Sequence, residues 1–169
     1  MVLKNSINQT KTPAPDLPFL DEQRVNLVMI ICNHCPYVLY RMPAISQLVK
    51  DYKDRINIVA VNSNDSSDYP QDAPEYMPEF KEKWDLQCDY IYDADQSIAR
   101  SLNAECTPEF YVITDGKIHY HGELDPAHTS NDLMPSGSVL RHAIDLALVG
   151  KDVNWYVQGS FGCSVKWKT

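Results

Sequence analysis

The feature that most constrains this chain is a continuous apolar run, Leu27 to Ile31, that leads directly into Cys32-Asn33-His34-Cys35-Pro36. Such a run is typical of a strand covered on both faces, as in a parallel sheet. Residues 38–52 then carry apolar side chains at spacings of three and four, which predicts an amphipathic helix. A second β-branched run follows at 56–61. Strand, helix and strand make a right-handed βαβ unit, so the sequence predicts an α/β fold.

The rest of the chain extends this pattern to one predicted domain, residues 1–169. The further predicted elements are, in chain order, a helix at 72–84, a strand at 90–92, a helix at 95–102, a hairpin around Asp115-Gly116 and a helix at 138–149. This order indicates a mixed sheet with helices on both faces. The Pro-rich residues up to about 20 are predicted to form an irregular arm, and residues from about 153 to 169 a tail without clear period.

The charge of the chain excludes several kinds of partner. With 15 basic and 23 acidic residues the formal net charge is −8, which repels nucleic-acid backbones and anionic lipid surfaces. No apolar run approaches the ~18 residues that span a bilayer. The first 20 residues contain no apolar stretch of the kind found in secretory signals. We therefore predict a cytoplasmic protein without nucleic-acid or membrane partners.

The Cys-x-x-Cys spacing at a strand-to-helix junction indicates redox chemistry. At a helix start, N–H groups and the helix dipole favour an anion, so Cys32 is predicted to be the exposed, low-pKa nucleophile. Cys35 lies one turn further and is predicted to resolve mixed disulfides. His34 adds a donor or a positive charge beside the same sulfur, which raises the reduction potential. A zinc knuckle would need a second ligand pair, and the sequence has neither a second Cys-x-x-Cys nor His-x₃-His.

A second motif, Cys106-Thr107-Pro108, stands directly before a predicted strand at 110–113. Together with the Cys-x-x-Cys unit it resembles a thioredoxin fold, a three-layer α/β/α sandwich with a central mixed sheet. The resemblance implies a cis Thr107–Pro108 bond that faces the dithiol, with the Thr107 backbone pairing with a substrate chain in strand fashion. It also brings Cys106 near the dithiol as a candidate substrate contact. The long spacing from Cys35 to Pro108 indicates a helix-strand insertion, residues 62–93, as in redoxins.

Several further segments resemble one family, the AhpC/TSA (redoxin) family, and within it the peroxiredoxin-like "thioredoxin family proteins" with a Cys-Asn-His-Cys-Pro motif. These segments are 12–16, 32–38, 62–65, 69–75, 106–110, 122–125 and 162–168. The resemblance implies a thiol–disulfide oxidoreductase acting on protein or small-molecule disulfides. Its electron donor would be a thioredoxin or glutathione system, and no cofactor or metal is expected.

Two alternative functions stay open for the same cysteines. A peroxidase would use Cys35, but Val28 and Cys32 stand where peroxiredoxins have the Pro and Thr of their motif. A thioredoxin-fold Cu(I) or zinc carrier would bind through Cys32 and Cys35. Its third ligand would be His119, His121 or His128. Of the remaining cysteines, Cys88 is predicted to pack in the interior, and Cys163 in the tail is predicted to be structural, with a resolving role as the alternative.

Overall fold

A computed structural model describes residues 2–169, which contain eight strands and four α-helices. The strands are, in chain order, β1 (Leu3–Asn5), β2 (Asn26–Ile30), β3 (Asn57–Asn62), β4 (Asp89–Tyr92), β5 (Cys106–Thr107), β6 (Glu109–Thr114), β7 (Lys117–Gly122) and β8 (Phe161–Ser164). The helices are α1 (Pro36–Tyr52), α2 (Met77–Trp84), α3 (Ser97–Ser101) and α4 (Ser138–Leu148). None of the helices within 2–169 combines the length and apolar character that crossing a bilayer requires.

The central sheet has five strands in the order β4-β3-β2-β6-β7. Strands β2, β3 and β4 are parallel, and β6 is antiparallel to both β2 and β7. Leu27 in β2 is paired with Ile58 of β3 on one side and with Val112 of β6 on the other. The predicted mixed sheet and thioredoxin-like three-layer sandwich are therefore confirmed.

Strand β2 is buried because it lies between two hydrophobic cores. Leu27 and Met29 point to the core formed with α1 and α4, while Val28 and Ile30 point to the core on the side of α3. All four side chains are inaccessible to solvent. Each buried aliphatic side chain of this size contributes roughly 1.5–3 kcal/mol. The end of β2, where the Cys-x-x-Cys motif begins, is consequently held in a fixed place.

A second, three-stranded sheet has the order β1-β8-β5. It takes β1 from the N-terminal arm, which was predicted to be irregular, and β8 from the tail, in which the sequence shows no clear period. Leu3 and Thr107 both pair with Cys163, from opposite sides of β8. Strands of three and four residues are too short to show an alternating pattern, and they pair with distant parts of the chain, as Leu3 does with Cys163. The expectation of an irregular arm was wrong at β1, and β8 is a strand that the sequence did not predict.

The insertion at 62–93 differs from its prediction at its start. Two short 3₁₀ turns, Pro70–Asp72 and Pro74–Tyr76, precede α2, so the α-helix begins at Met77 rather than at Asp72. Proline has no N–H to donate and disfavours helical geometry in the residue before it. The irregular stretch lies beside the turn that follows β2 and brings Asp72 against the motif.

Candidate functional site

The motif cysteines lie in the turn between β2 and α1. Cys35 is the N-cap residue of α1, and Pro36 is its first residue, a position where the missing N–H costs no hydrogen bond. Cys32 and Cys35 both have no solvent-accessible surface. The expectation of an exposed Cys32 was therefore wrong. Thr107 covers it, with 3.6 Å between the Thr107 Oγ1 and the Cys32 Sγ.

Three sulfur atoms meet at this point rather than two. The Cys35 Sγ lies 2.8 Å from the Cys163 Sγ of β8. Cys32 belongs to the same turn, and Cys32 and Cys35 influence each other's pKa. When protonated, the Cys35 thiol donates to the carbonyl oxygen of Thr107 at 3.3 Å. Cys35 is thus the cysteine that interacts with both of the others.

The surroundings of the three sulfurs favour the negative charge on Cys35. Burial raises the pKa of Cys32 well above its ordinary value, and the nearby Asp72 carboxylate raises it further. Hydrogen bonds from Cys163 and Cys32 hold the pKa of Cys35 well below its ordinary value, against the effect of its burial. Hydrogen bonds to a charged group stabilise that charge. The sequence predicted the lower pKa for Cys32. The structure gives the opposite order, because Cys35 receives hydrogen bonds from two thiols whereas Cys32 is fully buried near the Asp72 carboxylate.

His34 faces a carboxylate. Its Nδ1 lies 2.6 Å from the Oδ2 of Asp72, and its ring stacks on Tyr69. Asp72 is fully buried and accepts two more hydrogen bonds, from the backbone N–H of Asn33 and from the side-chain amide of Asn64, each at 2.8 Å. Asp72 therefore ties the Cys-x-x-Cys turn to the insertion and places a negative charge beside Cys32.

The loop before β6 forms the opposite wall of the site. The Thr107–Pro108 peptide bond is cis, and Thr107 contacts both motif cysteines. Glu109 follows the proline, and its buried carboxylate accepts the backbone N–H groups of Glu105 at 2.8 Å and Cys106 at 3.0 Å. The same carboxylate lies 2.6 Å from the Nε2 of His121. Glu109 thus closes the loop on itself and fixes the position of Thr107.

Strand β8 occupies the edge where we expected a substrate chain to pair. Thr107 is paired with Cys163, and Cys106 with Ser164. A Cβ atom at Gly162 would lie 2.0 Å from the Thr107 carbonyl oxygen, so only glycine permits this approach. A substrate strand at this edge would have to displace β8. The structure thereby differs from the expectation that Thr107 offers an open edge.

The remaining cysteines lie in apolar or closed surroundings. The Cys106 Sγ is buried, 4.0 Å from the carbonyl oxygen of Pro108, and burial raises the pKa of Cys106 above its ordinary value. Burial also raises the pKa of Cys88, to about 12. Neither thiol is poised to ionise near neutral pH. The predicted substrate contact of Cys106 stays a prediction.

Cys32, His34 and Asp72 could together hold a metal ion. Within residues 2–169, their ligand atoms lie within 4.8 Å of one another. Thiolate, imidazole and carboxylate are the ligand types that zinc accepts. The histidines predicted as a third ligand have other surroundings. His121 is bound to Glu109, His128 packs on the Phe161 ring, and His119 lies near Ala143 of α4.

A pocket of about 430 Å³ opens beside the motif turn. Its lining residues are Asn33, Pro70, Gln71, Tyr76, Glu79, Phe80 and Lys83. The Asn33 side chain donates to the carbonyl of Gln71 and accepts from the hydroxyl of Tyr90. Asn33 is consequently part of both the pocket wall and the turn that carries the cysteines.

Sequence reasoning missed three parts of the site: Asp72, Glu109 and the contact of Cys163 with Cys35. A signal existed for Asp72, because the polar residues 62–65 lie at the carboxyl end of β3, and sites in α/β sheets form at the carboxyl ends of neighbouring parallel strands. Asn62 and Asn64 are hydrogen-bonded to Asp72. Glu109 directly follows the cis-proline. Its role as an acceptor depends on the path of the loop at residues 105–108, which the sequence does not show. For Cys163 the local sequence carries no comparable signal.

Comparison with known proteins places the chain among redoxins. The profile of the AhpC/TSA family matches residues 6–121. Among functionally curated proteins, no sequence matches the chain.

Some of the solved structures that resemble the chain share both sequence and fold with it, and others share the fold alone. An uncharacterised conserved protein from Geobacillus kaustophilus is 35% identical, with a TM-score of 0.85 over 98% of this chain and 91% of that one. A hypothetical protein from Sinorhizobium meliloti is 31% identical, with a TM-score of 0.90 over 99% of both chains. A secreted disulfide oxidoreductase from Mycobacterium tuberculosis, homologous to E. coli DsbE, is 16% identical, with a TM-score of 0.57 over 82% of this chain and 94% of that one. This last likeness concerns the fold alone.

Proposed function

The chain belongs to the AhpC/TSA family, and on that basis we propose that it is a thiol–disulfide oxidoreductase working through Cys32 and Cys35. One observation carries the proposal: both sulfurs lie at the start of α1 and contact Thr107, directly before a cis proline. A dithiol at a helix N-terminus is the arrangement in which one thiolate is stabilised and the second sulfur is within reach.

In the reducing direction, Cys32 attacks a substrate disulfide and passes its proton to the thiolate of Cys35, the cysteine of the same turn with the lower pKa. A bond forms between the Cys32 Sγ and one substrate sulfur, and the other substrate sulfur leaves as a thiolate that takes the proton from Cys35. The Cys35 thiolate then attacks the Cys32 Sγ and displaces the second substrate sulfur. The dithiol has become a disulfide, and two electrons have passed to the substrate.

The stabilised Cys35 thiolate favours the reduced protein and so raises the reduction potential. We propose a potential between the ~−270 mV of thioredoxin and the ~−120 mV of the strongest dithiol oxidants, at about −200 mV. Against a cytosolic poise of about −260 mV, a gap of roughly 60 mV favours the dithiol about 100-fold. In the cytoplasm, the compartment we propose, the protein would rest reduced and reduce protein or small-molecule disulfides. A thioredoxin or glutathione system would then return the electrons.

A peroxidase that uses Cys35 is the second candidate, and the lowered pKa of Cys35 favours it. However, Val28 and Cys32 stand in place of the proline and threonine that support a peroxidatic cysteine. Cys32 supplies a thiol there, which is a weaker hydrogen-bond donor than a hydroxyl. We therefore rank peroxide reduction below disulfide exchange.

The two functions separate in one set of assays on the same sample. Insulin-disulfide reduction and peroxide consumption are measured for the wild type, Cys32→Ser and Cys35→Ser, and the reduction potential is measured against glutathione. We expect insulin turnover in the wild type and its loss in both variants. Cys88→Ser, which removes a cysteine outside the site, should keep full turnover. Peroxide consumption that survives Cys32→Ser, without insulin turnover in the wild type, would instead establish the peroxidase.

A further inference from the structure

Cys163 is held against the dithiol by a strand that is fixed on both edges. Strand β8 pairs with β1 through Leu3 and with β5 through Thr107. The Cys163 side chain is buried, and its Sγ lies 2.8 Å from the Cys35 Sγ. This distance exceeds the ~2.05 Å of a disulfide bond, so the two sulfurs are hydrogen-bonded and are not joined by a disulfide. At Gly162, β8 approaches Thr107 so closely that there is no room for a side chain between the two strands.

We propose that Cys163 is a third redox cysteine, which exchanges with the Cys32–Cys35 disulfide to give a Cys35–Cys163 disulfide. This inference rests on the proposed function, because that function supplies the oxidised pair. The Cys163 sulfur attacks the Cys35 Sγ, a Cys35–Cys163 bond forms and the Cys32–Cys35 bond breaks. Cys32 leaves with the electron pair and takes up the proton that Cys163 gives up. The number of disulfides is unchanged, so no outside oxidant or reductant is needed.

The charges around Cys163 are suited to this step. In the reduced protein, the hydrogen bond with Cys35 is the first cause that raises the pKa of Cys163, followed by burial, while the nearby Lys166 ammonium lowers it. The first cause requires Cys35 as a thiolate and disappears once Cys35 is in a disulfide. The Lys166 amine is held in place by the carbonyl oxygen of Ser164 at 2.6 Å. Oxidation of the pair therefore removes the largest of the effects that raise the pKa of Cys163, although burial still raises it.

The exchange has a consequence for the oxidised protein. After the exchange, the disulfide joins Cys35 and Cys163. Cys32 is a thiol again, although the protein still contains one disulfide. The new bond would join β8 to the start of α1. Strand β8 itself occupies the position expected for a substrate chain, so Cys163 meets the dithiol from the side on which we expected a substrate cysteine.

The first test uses Cys32→Ser, which keeps Cys35 and Cys163. After treatment with oxidised glutathione and quenching in acid, peptide mapping should show a Cys35–Cys163 disulfide. The glutathione adduct should be at least about tenfold lower than in Cys32→Ser/Cys163→Ser, because a sulfur already in contact outcompetes a thiol from solution. Cys106→Ser in the same background serves as a control and should leave the map unchanged. Equal adduct levels in the single and double variants would overturn the inference.

The second test needs no substitution. Wild-type protein oxidised with one equivalent of disulfide should contain both Cys32–Cys35 and Cys35–Cys163. If it contains Cys32–Cys35 alone while insulin turnover persists, the inference fails and the proposed function stands. If neither disulfide forms and there is no turnover, the proposed function fails and this inference falls with it.

Discussion

Two histidine–carboxylate pairs flank the dithiol, with the same 2.6 Å separation and different surroundings. In the Glu109–His121 pair both side chains are closed to solvent, whereas the His34 side chain of the other pair is 25% exposed. The comparison teaches that the chemical identity of such a pair does not decide its role. What decides it is how many of its hydrogen-bonding positions the protein already fills.

The Glu109–His121 pair is completely satisfied. The backbone N–H of Gln9 donates to the Nδ1 of His121, so this nitrogen carries no proton and the Nε2–H donates to Glu109. The Tyr111 hydroxyl and the N–H groups of residues 105 and 106 donate to the same carboxylate. A carboxylate with four donors and a neutral imidazole forms a structural brace for the cis-proline loop.

The His34–Asp72 pair reaches the solvent and the reacting sulfurs. His34 is part of the Cys-x-x-Cys turn, and the charge of Asp72 raises the pKa of Cys32. A change at this pair should therefore alter reactivity more than stability. The following predictions use that contrast, from the largest expected effect to the smallest.

Replacing Glu109 with glutamine should lower the free energy of unfolding by about 3 kcal/mol. Each carboxylate oxygen accepts two donors, so the amide NH₂ would face two buried donors in place of an acceptor. Urea unfolding measures this effect. Glu105→Gln is the matched control, since Glu105 forms only a partly exposed ion pair with Lys4 and should contribute at most about 1 kcal/mol. If the Glu109→Gln variant were as stable as the wild type but showed altered cysteine reactivity, the structural role assigned to the Glu109–His121 pair would be wrong.

Replacing Asp72 with asparagine should cost less, about 1–2 kcal/mol, since one of the three donors to Asp72 loses its acceptor. The loss of the negative charge should lower the pKa of Cys32, so alkylation of Cys32 near pH 7 should become severalfold faster. Mass spectrometry of iodoacetamide-treated protein measures the rate at each cysteine. Asp93→Asn, which removes another buried carboxylate, should leave the rate at Cys32 unchanged. An unchanged rate in Asp72→Asn would show that burial alone sets the reactivity of Cys32.

Replacing His34 with proline should have the smallest effect on stability and should lower the reduction potential by about 30 mV, a tenfold change in the equilibrium. Without the imidazole, the Asp72 carboxylate loses its hydrogen bond with His34, and its negative charge disfavours the Cys32 thiolate more strongly. A less stable thiolate favours the disulfide and lowers the potential. Equilibration with glutathione measures the potential. His34→Gln keeps a donor toward Asp72 and should retain most of the wild-type value. Equal reduction potentials in the wild type, His34→Pro and His34→Gln would mean that the N-terminus of α1 determines the potential without a contribution from His34.

The fold could be predicted because its main signals are local. Leu27 to Ile31 and the helical spacing after Pro36 each reveal a period within a few residues, and the turn between them fixes where the cysteines lie. The site could be predicted only in part, since its remaining members come from distant segments. Asp72 meets Asn33 across 39 positions of the chain, and Cys163 meets Cys35 across 128. Such contacts depend on sheet register and loop path, which short polar segments do not encode in a readable period.

Strand β8 has a further consequence through its place in the chain, C-terminal to every other group of the site. During synthesis from the N-terminus, Cys32, Cys35, Asp72 and Thr107 are all made before Phe161–Ser164. Until β8 is made, the edge at Thr107 has no strand partner from β8 and Cys35 has no third sulfur beside it. The site can therefore form in full only after β8 has been made, and β8 is the strand that brings the third sulfur to Cys35.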